Sequence, residues 1–256
     1  MADNRIAYGL AKKNGIDTKG MSPKEVWEAL KGKGITSESV DGEAQGKKKE
    51  LEKKYNQNAE IEPKKSKEFS DVKSARTFFK NISQNWENSL SDTEKKGITE
   101  YTDYRSYNIN DDLRNGKYNT SKYKNQIDEM DKAIAKFDLA QNIKVYRGTN
   151  IMEFGKTLND FSDIKTLEGK TINLPSYTST STNYKIADKE FDGEVLMQID
   201  VKKGNGKGAY VDYLSYMNPD NEEDRESEFL LKRNSQLKIK KVSQRNDGKI
   251  IVDAEV

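Results

Sequence analysis

The chain has 256 residues, 33% of them hydrophobic and 34% charged, with a mean hydropathy of −1.01. That length allows one large domain or one domain with an appendage, and the low apolar fraction predicts a poorly packed or extended segment. Lys and Arg total 45 against 43 Asp and Glu, a net charge of +2 that argues against a dedicated nucleic-acid binder. Cys is absent, which excludes a disulfide framework and a thiolate nucleophile or metal site. His is absent too, so the commonest general base and metal ligand are missing. Any catalysis must run on Glu, Asp, Ser, Tyr, Lys or Arg, and no metal is expected.

Residues 1–35 predict a small helical module. Ala7, Leu10 and Ala11 have helical spacing, GIDTKG (15–20) reads as a loop, and Ser22-Pro23 opens a second helix with Val26, Trp27 and Leu30 on one face. The pattern is similar to small SAP-like or LEM-like helix-extension-helix modules; a two-helix packing or docking element is expected in preference to a DNA-binding one, with a delivery or docking partner as its contact. The N-terminus carries no apolar run of signal-peptide type and no stretch reaches membrane-spanning length. The expected chain is soluble, either cytoplasmic in its producer or delivered to target cells by another route. Residues 36–66 form an expected charged linker rich in Ser, Gly, Glu and Lys.

Residues 67–256 predict one compact domain. Its first half is helical: Val72, Ala75, Phe78, Phe79 and Ile82 share a face, Ser91 and Glu94 form a capping box, and Ile127, Met130, Ile134 and Phe137 continue the period. In YTDYRSYNINDDLRNG (101–116), Tyr101, Ile109 and Leu113 face a core while Asn110 and Arg114 lie one turn apart. The second half is strand-rich at 143–147, 194–201, 226–232, 236–242 and 249–256. Helices first and strands later indicate an α+β domain with a mostly antiparallel core.

Three strand segments carry chemistry. VYRG (145–148) ends an apolar strand with Arg147, suited to bidentate phosphate contact, and with Gly148, which lets a ligand approach the backbone. An Arg paired with a carboxylate is the alternative for Arg147. SYTSTSTN (176–183) is rich in hydroxyls, with Ser179 and Ser181 on one face of a strand and Thr180 on the other. ESEFLL (226–231) places Glu226 and Glu228 on one strand face, where like charges repel. A solvated edge strand is the alternative there.

An Arg, then S-T-S, then E-x-E, in this order, resembles the R–S–E arrangement of the mono-ADP-ribosyltransferase exoenzymes, in their binary-toxin and insecticidal-toxin branch. The likeness spans roughly residues 70–256. It includes Tyr107, Ile109, Asn110, Leu113 and Arg114, with one spacing change ahead of the Asn, and Gly208, Ala209 and Tyr210 before the glutamate segment.

The resemblance implies a helical half packed on a two-sheet β core, with NAD as co-substrate and a target protein bearing an exposed arginine as partner. It implies that Arg147 holds the pyrophosphate of NAD, that the Gly148 backbone binds the nicotinamide amide, and that Phe191 packs on nicotinamide. Tyr101 and Asn110 are expected on the NAD side. Ser179 positions Glu228, Glu228 stabilises the ribosyl centre as nicotinamide departs, and Glu226 takes the acceptor's proton. In the family E-x-E accompanies arginine modification and a Gln in the first position accompanies asparagine, so Glu226 implies arginine. A neighbouring carboxylate would raise the pKa of Glu226, which suits a general base.

Where the family carries a second Arg after the aromatic, this chain has Asp192, Gly193 and Glu194, leaving Lys185 or Lys189 to supply that charge. The loop 211–225 is long. Tyr213 and Tyr216 are its expected substrate-recognition residues, with Met217 beside them and the acidic run DNEED (220–224) suited to a basic target. The expected function is a toxin or a phage or bacterial effector. The alternatives are an NAD glycohydrolase without protein acceptor, a catalytically silent binding or phage-associated module, and a carboxylate-pair glycosidase, which needs neither Arg147 nor the S-T-S strand.

Overall fold

The computed structural model describes residues 4–35, 65–155, 157–189, 191, 193–216 and 226–256. Most of the expected linker, together with Met217 and the acidic run 220–224, lies outside the described residues. The chain divides into two compact units at residue 63.

The first unit pairs helix α1 (Asn4–Lys13) with α2 (Pro23–Lys31). Ser22 and Glu25 cap α2 reciprocally, with Pro23 in the first helical position. Ala7, Ala11, Val26 and Leu30 are fully buried, with Leu10 and Trp27 half-buried against them. The Tyr8 hydroxyl donates to the Met21 carbonyl at 2.6 Å and ties the connecting loop to α1.

The second unit opens with Lys67 bridged to Ile143. Helix α3 (Val72–Ser89) is capped by Asp71, and α4 (Asp92–Glu100) by Ser91 and Glu94, which form the box their spacing predicts. A π-type turn (Tyr101–Arg105) leads into α5 (Ser106–Arg114), and α6 (Lys124–Ala135) buries Ile127, Met130 and Ile134. Two short helices follow, α7 (Phe161–Lys165) and α8 (Tyr184–Lys189).

The strands are β1 (Asp138–Leu139), β2 (Ile143–Thr149), β3 (Thr171–Leu174), β4 (Thr178–Ser181), β5 (Val195–Val201), β6 (Gly204–Asn205), β7 (Gly208–Tyr210), β8 (Glu228–Leu231), β9 (Ser235–Gln244) and β10 (Ile250–Glu255). Eight of them form one ladder in the order β3-β9-β10-β5-β2-β4-β8-β7, antiparallel except where β10 runs parallel to β5. The expected two-sheet core is visible in this ladder. β2 and β4 share a single residue pair, Tyr146 with Ser181, so five strands on one side part from three on the other.

The helices cover this sheet through an aromatic core in which Phe79 of α3 stacks on Tyr210 of β7, with ring centroids 4.2 Å apart. Each such buried side chain contributes roughly 1.5–3 kcal/mol. Among the described residues no helix is long and apolar enough to cross a membrane.

Candidate active site

The parting of β2 and β4 opens a cleft. A polar cavity of about 220 Å³ lies there, lined by Tyr101, Asn110, Arg114, Arg147, Ser179, Glu226 and Glu228, with Tyr177 among the remaining wall residues. A smaller depression of about 70 Å³ shares Arg147, Ser179 and Glu226 and adds Tyr146 and Phe191. Separate segments of the sequence thus deliver the expected Arg, Ser and Glu residues to one place.

The two glutamates do not reach the cavity by strand alternation. β8 begins at Glu228, and Ser227 just before it has φ +51°, in the left-handed region. The expected strand over 226–232 is therefore a strand preceded by a turn. The turn makes the two carboxylates unequal: Glu226 is exposed, whereas Glu228 is 7% exposed.

Burial raises the Glu228 pKa to about 7, against the Ser179 hydrogen bond that favours its ionised form; the charges of Glu226 and Asp212 push it further up, and Arg147 opposes them. The charge of Glu226 is thus one of the causes that hold the Glu228 carboxyl near neutral pH. Asp212, the second acid behind it, is buried and ion-paired with Arg76 at 2.7 Å.

The hydroxyls of the S-T-S-T run face the glutamate segment. Ser179 faces the Glu228 carboxylate and favours its ionised form. The register explains the contact: Ser181 lies opposite Glu228, which puts Ser179 diagonally across the same face. Thr180 Oγ1 donates to the Phe229 carbonyl, and Ser181 Oγ donates to the Glu226 carbonyl at 2.7 Å. Thr182 Oγ1 meets Ser227 Oγ at 2.6 Å. Sequence reasoning assigned a role to Ser179 alone; the alternation of hydroxyls opposite the glutamate segment was the available signal for the rest.

Arg147 is not an open fork. Its Nη1 donates to the Ser179 carbonyl at 2.9 Å, while Nε and Nη2 donate to the Glu153 carboxylate at 3.0–3.2 Å. Thr149 Oγ1 donates to the same carboxylate. Burial disfavours the Glu153 charge, but Arg147 and the Thr149 hydroxyl outweigh it and hold its pKa below the ordinary value. The carboxylate-paired alternative for Arg147 is therefore present within the site itself, and Glu153 is a residue that sequence reasoning missed.

Tyr101 is 2% exposed, stands edge-on to Tyr177, and accepts a hydrogen bond from Asn110 Nδ2 at 2.9 Å. Burial and the nearby Glu228 charge raise its pKa. Asn110 Oδ1 is buried with no hydrogen-bond partner in the protein, which leaves it open to a donor from water or a ligand. Arg114, one turn on, lines the cavity and pairs with no carboxylate among the described residues.

Gly148 is required by packing inside the protein. A Cβ there would meet the Phe191 carbonyl at 2.0 Å and the Ala187 carbonyl at 2.4 Å, so it is the α8 segment that approaches this backbone. Lys185 and Lys189 are exposed and line neither depression. Glu194 accepts from the Ile151 amide at 3.1 Å, and Asp192 lies outside the described residues.

Tyr213 is committed to the fold. Its hydroxyl donates to the Arg76 carbonyl at 3.0 Å and its ring lies under the Arg76 guanidinium and edge-on to Tyr210. Tyr216 is 65% exposed, and its amide donates to Thr102 Oγ1 at the cavity wall.

Residues 75–256 match the model of the ADP-ribosyltransferase exoenzyme family. The chain is 33% identical over 155 residues to the NAD(+)--arginine ADP-ribosyltransferase EFV of Enterococcus faecalis, a match that covers 59% of this chain and 29% of that protein. Among solved structures it is similar to Plx2a, an ADP-ribosyltransferase toxin of Paenibacillus larvae, with 27% identity, 74% of this chain and 98% of that one covered, and a TM-score of 0.64. It is also similar to the ADP-ribosylating toxin BECa of a binary enterotoxin of Clostridium perfringens, solved with NADH, at 25% identity, with 74% of this chain and 49% of that one covered and a TM-score of 0.61. With the matched region spanning the whole cleft and its sheet, the chain belongs to the ADP-ribosyltransferase exoenzyme family.

Proposed function

We propose that the chain transfers ADP-ribose from NAD to an arginine of a target protein and releases nicotinamide, as a toxin or a phage or bacterial effector. The observation that carries this reading is the unequal pair of carboxylates, Glu228 buried and Glu226 exposed, in one cavity with Arg147 and Ser179. The relative named for arginine transfer and the toxin solved with NADH support it.

The cavity suits NAD as a substrate. Asn110 offers its unpartnered Oδ1, and Arg114 and Arg147 offer N–H donors to the diphosphate. Bound NAD supplies a cationic nicotinamide on C1′ of a ribose. As the C1′–N bond breaks, its electron pair leaves with nicotinamide and positive charge grows on the sugar. The ionised Glu228 carboxylate, aimed by Ser179, stabilises that charge in a water-poor setting. A guanidinium is a poor nucleophile while charged; Glu226 attracts it, accepts its proton, and leaves the nitrogen free to bond C1′.

Incubation with NAD labelled in its adenine half, with and without cell lysate, tests the reading. Labelled protein is the expected result. Free nicotinamide without labelled protein favours NAD hydrolysis, and no reaction contradicts the proposal.

A further inference from the structure

The chain places a serine in the left-handed region between its two glutamates. Ser227 has φ +51° and is fully buried. A residue with a Cβ avoids this conformation unless its surroundings impose it. The surroundings here are specific. Ser227 Oγ meets Thr182 Oγ1 at 2.6 Å and the Tyr210 hydroxyl at 3.0 Å. The Ser227 carbonyl accepts from the Thr182 amide at 3.0 Å and from its hydroxyl at 3.3 Å. None of these atoms belongs to a side chain that lines the cavity.

The two glutamates are secured differently. Glu228 sits in the ladder opposite Ser181, and its carbonyl accepts from the Val211 amide at 3.1 Å. Glu226 lies outside the ladder, held at its carbonyl by Ser181 Oγ and through the turn at Ser227. A change at Ser227 therefore reaches Glu226 through the turn, while the ladder still holds the Glu228 backbone.

We infer that Ser227, locked by Thr182 and Tyr210, is a positioning residue that sets where Glu226 stands beside Glu228 and so decides whether the ribosyl group passes to arginine or to water. This rests on the transferase reading above. Gly in place of Ser adopts the same φ freely but loses the hydroxyl lock, so it loosens Glu226 without forcing the backbone elsewhere.

The test compares Ser227→Gly and Thr182→Val with the wild-type protein, measuring nicotinamide release and ADP-ribosylation of agmatine, a small guanidine, in one reaction. Misplacing a catalytic group by about 1 Å costs up to about a hundredfold. The expected result is a drop in kcat for agmatine of roughly tenfold or more in both variants, with nicotinamide release falling far less. Thr182→Val decides the matter should Ser227→Gly fail to fold. A wild-type ratio of transfer to release in folded variants, or a parallel loss of both, overturns this proposal alone. A wild-type protein that neither releases nicotinamide nor labels agmatine overturns the transferase reading and this proposal with it.

Discussion

Arg147 and Glu153 form a side-on ion pair at the edge of the cleft, with Nε and Nη2 of the guanidinium at 3.0–3.2 Å from the carboxylate and Nη1 free to donate to the Ser179 carbonyl at 2.9 Å. One side chain thereby joins β2 to β4 at the point where their ladder ends. The pair fixes the guanidinium in one orientation and lowers the net charge that it presents to a diphosphate.

This arrangement predicts two effects for Arg147→Ala. NAD affinity falls, because a charge-assisted hydrogen bond contributes about 1.5–3 kcal/mol, or roughly 10–100-fold in Kd. Stability falls as well, since Glu153 is left partly buried without its cation. Calorimetric titration with NAD and a urea melt read the two effects separately. Unfolding with unchanged NAD affinity in the folded fraction would assign Arg147 to structure alone.

Arg114 carries no such burden. Arg114→Ala is expected to weaken NAD binding by roughly tenfold while shifting stability by less than about 0.5 kcal/mol, as for an exposed side chain without an ion pair. Unchanged affinity would remove Arg114 from the binding site.

Glu228 makes a prediction about pH. Its folded-state pKa of about 7 lies above the ordinary 4.5, so between those values the folded protein holds a proton that the unfolded chain has lost. Stability from this group is therefore present below pH 4.5 and declines as pH rises to about 7, by an upper limit of about 3 kcal/mol. Glu228→Gln escapes that loss. Its melting temperature should match the wild type near pH 4.5 and exceed it at pH 8, although the variant is inactive. Equal melting temperatures at pH 8 would show that Glu228 ionises without cost. In the active protein, kcat/KM should rise with pH through about 7 as the carboxylate forms.

Much of this was legible in the residues. Apolar periodicity marked α3 and α6, the Ser91–Glu94 box marked the start of α4, and β2, β5, β9 and β10 appear within a residue or two of their predicted spans. These are long elements with one buried face, where period and packing agree. The two-residue strands β1 and β6 were not legible, because so short a run has no period. Of the site, Arg147, Ser179, Glu226 and Glu228 were found by type and order. The left-handed turn at Ser227 was hidden because alternation alone also puts the two glutamates on one face. Glu153 was hidden because its meaning depends on the 3₁₀ turn Ile151–Glu153 folding it back onto Arg147. The packing of Tyr213 was hidden because an aromatic in a loop gives no sign of the Arg76 beneath it.

The division of labour between the buried and the exposed glutamate is tested most directly by one paired measurement. Nicotinamide release and agmatine labelling are followed in the same reaction for the wild type, Glu226→Gln and Glu228→Gln. Glu228→Gln should lose both activities by roughly 10²–10⁴-fold, the usual cost of removing a positioned catalytic group. Glu226→Gln should lose agmatine labelling while continuing to release nicotinamide, since water needs less activation than a protonated guanidinium. Parallel loss of both activities in Glu226→Gln, or labelling retained in it, would contradict the division.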